Sequence, residues 1–140
     1  MEENKDPFHK SELTTILVVA DIEKSKSFYV ELLHAQVVGE YGGTSVVLKF
    51  LNNWVLLVTA GGPTEDKPDI SFEPPQFSNS VCHSFTIRVE NCTQSYKILK
   101  NRGVDFITPP YDWGAEIRCF FKDPDGHLFE LSEHKPHSAD

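Results

Sequence analysis

The sequence predicts an α+β fold made of two tandem βαβββ modules within one domain, residues 1–140. Three observations predict it. The order strand, helix, strand, strand, strand is written twice. The second copy keeps the spacing of the first: Asn91, Ser95 and Ile98 stand 70 residues after Asp21, Ser25 and Phe28. A proline-bearing stretch with no clear period, residues 61–80, separates module one (about 12–60) from module two (about 81–133).

In module one, Leu13 to Val19 is rich in Ile, Val and Thr and reads as a strand. Asp21 is placed to cap the following helix. Glu23 lies in its first turn, where negative charge suits the helix dipole. Ile22, Phe28, Tyr29, Leu32 and Leu33 recur at helical spacing. His34 stands where a helix-terminating glycine would serve best, so backbone strain is expected there. Three strands follow, near 35–41, 44–51 and 54–60, with Asn52-Asn53 as a tight hairpin turn between the last two.

In module two, Ser84 to Val89 is a strand, Asn91 a helix cap and Gly103 a helix stop. Strands near 104–108, 115–122 and 127–132 complete the pattern, and Asp123-Pro124-Asp125-Gly126 is a strong turn. The tails before Ser11 and after Glu133 are expected to fray.

Composition narrows the functional classes. The hydrophobic share of 39% is enough for a core, and the formal net charge is −8. An acidic surface repels phosphate backbones, which argues against nucleic acid and favours a neutral or cationic ligand. Cys82, Cys92 and Cys119 are odd in number and form no close metal-type pair. They read as small core residues in a reducing cytosol. No apolar run reaches the length of a membrane span, and the polar N-terminus does not resemble a signal peptide.

Three stretches carry a resemblance. They are Val-Val-Ala-Asp-Ile-Glu-Lys-Ser-Lys-Ser-Phe-Tyr at 18–29, Asp-Trp-Gly-Ala-Glu-Ile-Arg at 112–118, and Asp-Pro-Asp-Gly-His-Leu-Phe-Glu-Leu at 123–131. In order and spacing they resemble the vicinal-oxygen-chelate superfamily, of the glyoxalase, bleomycin-resistance and extradiol-dioxygenase kind, over about residues 12–133. The resemblance implies a curved mixed-sheet cup with helices outside, a small-molecule ligand and a homodimer. In metal-dependent relatives it also implies four ligand positions in the cup, through which a divalent metal polarises two neighbouring substrate oxygens.

Carried onto this chain, those positions fall at Thr14, Leu57, Ser84 and Glu130. Hydroxyls are poor ligands and Leu is none, so one carboxylate is left and the metal site reads as degraded, with no cofactor expected. His83 neighbours Ser84, but alternation sends it to the opposite face, where it would pack under the helix beside Phe85 and Ile87.

If Leu57 faces the cup, the hairpin brings Val46, Leu48, Phe50, Val55 and Thr59 with it. Alternation from Thr14 adds Ile16 and Val18, and alternation from Ser84 adds Thr86 and Arg88. Trp113 is expected near the cup mouth, and Trp54 on the outer face. For each apolar residue the plainer reading is ordinary core; for Arg88 and Glu130 it is a structural ion pair.

Two functions follow. One is metal-free binding or sequestration of a small molecule, cationic or aromatic, which needs a cleft and no catalyst. The other is a lyase, epimerase or dioxygenase of the glyoxalase type, with Glu130 as general base or ligand to a divalent metal and Arg88 or Arg118 steadying an oxyanion. A third, a protein-interaction role, has no sequence feature to support it.

Overall fold

Thr14–Val19 forms β1 in the computed structural model, which describes residues 6–75 and 79–136. Asp21 then starts α1, Ile22–Ser27, its carboxylate accepting from the Glu23 and Lys24 amides at 3.1 Å each. The helix continues as a wider π turn over Phe28–Leu32, closed by the Leu33 amide on the Phe28 carbonyl at 3.3 Å. The chain leaves it through His34 at φ +62°, the left-handed conformation expected where glycine is missing.

β2 (Gln36–Tyr41), β3 (Ser45–Phe50) and β4 (Asn53–Thr59) complete module one. The β3–β4 turn is Leu51-Asn52, both at positive φ, because Phe50 pairs with Asn53. The expected turn was one residue later. The registry therefore shifts by two, and Leu48 pairs with Val55 and Val46 with Leu57. A shift of two preserves which residues share a face.

Module two repeats the plan: β5 (Phe85–Arg88), α2 (Cys92–Arg102), β6 (Tyr111–Asp112), β7 (Glu116–Lys122) and β8 (Leu128–His134). Asn91 caps α2 and Gly103 ends it at φ +111°. The strand expected near 104–108 is only an isolated bridge, Phe106 to Phe121. Pro109 and Pro110 follow it and donate no backbone hydrogen bond, so regular pairing resumes only at Tyr111.

Each module is a four-stranded mixed sheet, in the orders β1-β4-β3-β2 and β5-β8-β7-β6. The first two strands of each order run parallel and the other neighbours antiparallel. Both sheets bury the face beneath their helices. Leu17, Val19, Val46, Leu48 and Leu57 in sheet one join Tyr29, Cys119, Phe121, Phe129 and Leu131 in one continuous core. Phe121 and Phe129 stack at 5.2 Å, and Phe28 and Tyr29 of module one pack onto them.

The Asp-Pro-Asp-Gly turn latches the modules together. Asp123, 5% exposed, accepts from the Asp125 and His127 amides at 2.9 Å each and from the Tyr29 hydroxyl at 2.5 Å. Asp125 reaches across to the Ala20 amide at 2.8 Å and the Ser25 hydroxyl at 2.9 Å. Burial pushes the Asp123 carboxyl above the usual carboxylate range, partly offset by the Tyr29 hydrogen bond. It pushes the Tyr29 hydroxyl up as well.

Candidate ligand site

Parallel pairing decides which face of sheet one is open. β1 aligns Thr14 with Trp54, Ile16 with Leu56 and Leu17 with Leu57. Residues aligned across a parallel pair share a face, so Thr14 and Leu57 lie on opposite sides. Leu57 and Leu48 are fully buried on the helix side, and Phe50 packs against the same core. None of these three lines the open face, contrary to the sequence expectation.

The open face carries Thr14, Ile16, Val18, Leu56 and Val58, with Trp54 among them rather than outside. It is still apolar: Ile16 and Val18 remain on it, but the β4 residues are Trp54, Leu56 and Val58 instead of Val55 and Leu57. Trp54 donates to Glu12 at 2.7 Å, and Lys49 lies over its ring at 4.9 Å.

In sheet two the expected face is the open one. Thr86 pairs with Glu130 and Arg88 with Ser132, while Phe85, Ile87, Phe129 and Leu131 turn toward the core. Glu130, 9% exposed, accepts from the Thr86 hydroxyl at 2.7 Å and lies 3.7 Å from Arg118 Nε. Arg118 also reaches Glu116 at 3.2 Å. Arg88 donates to the Ser132 hydroxyl at 2.8 Å, which donates to Glu116 at 2.6 Å. Two arginines and two glutamates thus form one balanced network. Trp113 lies over the Arg118 guanidinium at 5.3 Å and beside Tyr111 at 4.7 Å, and both rings are largely exposed.

The structure thus brings Thr86, Arg88, Trp113, Arg118 and Glu130 together. Ser84 is exposed one residue before β5, and Thr14 is exposed on the other sheet. Glu116 and Ser132 were missed, although alternation from Arg118 and Glu130 would have found both.

Glu116 is held below the usual carboxylate range, first by the Ser132 hydroxyl and then by Arg118 and Arg88, against a desolvation effect that raises it. A depressed carboxylate stabilises the fold above its unfolded value of 4.5 and loses that contribution as pH falls through its folded value. Urea titrations below pH 4.5 should therefore show a shallower loss of stability for Glu116→Gln than for the parent. Equal slopes would remove Glu116 from the acid response.

The metal centre that the fold implies does not fit these residues. The four corresponding positions offer one carboxylate, two exposed hydroxyls and a leucine sealed in the core. The neighbours of Leu57 on the open face, Leu56 and Val58, carry no donor either. Among the described residues, no three His, Cys, Asp or Glu side chains come together around one point.

Two cysteines are buried as expected, with their sulfurs 3.8 Å apart; burial raises both thiols, Cys119 to about 12. Cys82 is exposed, so it is no core residue. His83 is exposed too, edge-on to Phe85 rather than beneath the helix. His127 is buried, with its Nε2 2.9 Å from the Val18 carbonyl.

Paired βαβββ modules with helices on one side and open sheet faces on the other define a vicinal-oxygen-chelate protein. The chain belongs to the Glyoxalase/Bleomycin resistance protein/Dioxygenase superfamily, whose sequence profile matches residues 13–131. It is 30% identical over 115 residues to the glutathione transferase FosA of Serratia marcescens, spanning 82% of this chain and 74% of that protein. Its fold is similar to that of the fosfomycin resistance protein FosX of Listeria monocytogenes, with a TM-score of 0.65, 16% identity and coverage of 88% and 92% of the two chains. The lactoylglutathione lyase of Agrobacterium tumefaciens aligns with a TM-score of 0.67 at 14% identity over 88% of this chain and 92% of its own. No helix among the described residues is long and apolar enough to cross a membrane.

Proposed function

We propose that this protein binds a small molecule on the open face of its second sheet and holds it without a divalent metal. The observation that carries the reading is the Thr86–Glu130–Arg118–Glu116–Ser132–Arg88 network, roofed by Trp113 on an otherwise open surface. Such a surface combines a few oriented polar groups with exposed aromatic rings, which is what small-molecule recognition requires. Tyr111 and Trp113 favour an aromatic ligand, and the net charge of −8 favours a cationic one. The setting is a homodimer, as in the family at large, in which the apolar open face of sheet one closes over the ligand.

The direct test is a thermal-shift screen of aromatic and cationic compounds, with hits measured by calorimetry against Glu130→Gln. Removing the carboxylate charge should weaken binding about tenfold or more. Unchanged affinity would displace the site. Zn, Ni, Mn, Fe(II) and Co should leave the melting temperature of the parent unchanged; a stoichiometric metal lost with Glu130→Ala would overturn the metal-free reading.

A second reading is a lyase, epimerase or dioxygenase in which Glu130 takes a proton while Arg118 steadies the developing oxyanion. The carboxylate lies 3.7 Å from that guanidinium. Turnover of a screened compound that disappears in Glu130→Gln would decide for it.

A further inference from the structure

The Arg118 guanidinium lies 5.3 Å from the Trp113 ring centroid and 5.7 Å from that of Phe120. Phe120 pairs with Glu130 and shares the open face, two residues further along β7. Arg118 Nη1 donates to Glu116 at 3.2 Å. Two rings and a carboxylate around a planar cation are the means by which proteins recognise guanidinium and amidinium groups. Here the chain fills the position with its own side chain. That side chain is 37% exposed, so it can swing into solvent without opening the core.

A second observation shows that the arginine fits incompletely. Glu130 is 9% exposed, and its Oε1 accepts from the Thr86 hydroxyl at 2.7 Å. Its Oε2 faces Arg118 Nε at 3.7 Å, beyond hydrogen-bond reach. A largely buried carboxylate oxygen without a hydrogen bond is uncommon. This one is not sealed: among the described residues, His127 Nδ1 alone is a sealed side-chain atom without a partner. Arg118, tethered to β7, thus hydrogen-bonds one glutamate and leaves an acceptor on the other open to the same face.

We infer that the open face of sheet two recognises aryl amidines and aryl guanidines, whose cationic head displaces the Arg118 side chain from Trp113, Phe120 and the two glutamates. The inference rests on the ligand site proposed above and names its ligand class. A free planar cation can donate to Glu130 Oε2 and Glu116 together, which the tethered arginine does not. Its aryl group lies over the exposed Tyr111 and Trp113 rings. One cation replaces another, so the charge balance of the network is kept. Arg118 is then an inhibitory side chain, and the ligand binds only the fraction of molecules in which it has swung out.

The probe is benzamidine, with benzylamine as a non-planar cation and benzamide as a neutral counterpart, titrated by calorimetry at fixed ionic strength. Benzamidine should bind Arg118→Ala at least about tenfold more tightly than the parent, because no side chain competes. It should also raise the melting temperature of that variant more than benzylamine does, and benzamide should do neither. Adding Glu130→Gln should abolish the gain. Arg118→Met keeps the apolar stem and should show the same gain even if Arg118→Ala does not fold. Benzamidine bound no more tightly by a folded Arg118 variant than by the parent would overturn the exchange. Benzylamine bound as tightly as benzamidine would overturn the planar-cation class. A screened compound that depends on Glu130 yet binds less tightly to Arg118→Ala would overturn the exchange and leave the open-face site standing. A gain in Arg118→Ala that survives Glu130→Gln would remove the site itself.

Discussion

Asp123→Ala should be the most destructive single substitution in the protein outside the apolar core. The carboxylate satisfies the Tyr29 hydroxyl and two backbone amides at once, at 5% exposure. Removing it leaves two buried donors and the part-buried Asp125 amide without an acceptor, and unsatisfied buried groups cost about 1–3 kcal/mol each. Relaxation and water entry recover part of that, so a loss of about 3–5 kcal/mol is expected. Tyr29→Phe removes one donor and should cost about 1–2 kcal/mol.

Combining the two separates a latch from independent contacts. If they act through one hydrogen bond, the double variant costs less than the sum of the singles. Strict additivity in urea denaturation would show that Asp123 works through its own turn alone and does not join the modules.

Leu57→Ala and Leu56→Ala form the second pair. Leu57 is fully buried on the helix side of β4, whereas Leu56 is half-buried on the open side. Truncating a buried leucine costs roughly 3 kcal/mol through lost transfer energy and a residual cavity. In a domain of this size that lowers the melting temperature by about 10 °C. Leu56→Ala should cost well under half as much in dilute protein. Equal losses would mean that the open face is covered. If a homodimer covers it, the Leu56→Ala loss should grow with protein concentration, because association then contributes to stability.

This pair bears on what could be read without a fold. Alternation along a strand separates two sets of residues but does not say which set is covered. β4 reads Asn-Trp-Val-Leu-Leu-Val-Thr, apolar on both faces, so hydrophobicity does not choose between Leu56 and Leu57. Sheet two is different. β7 and β8 alternate charged residues with apolar ones, Glu116, Arg118 and Glu130 against Ile117, Cys119 and Leu131. Its open face was therefore legible: Thr86, Arg88 and Glu130, expected on one face, share it, and Arg118 joins them there.

By itself the sequence determined the duplicated βαβββ plan, both helix caps, the turn at Asp123 and membership of the superfamily. All of these rest on contacts between residues near in the chain, or on motifs in a fixed order. Tertiary structure alone decided the pairing of β1 with β4, and with it the side on which Thr14, Leu48, Phe50 and Leu57 lie. It also decided that Asp125 reaches Ala20 and that Cys82 opens onto a cavity lined by β1. These relations join residues some 40 to 105 positions apart in the sequence, where no local periodicity carries information. Packing settles them: the faces under the helices of both sheets meet in one continuous core.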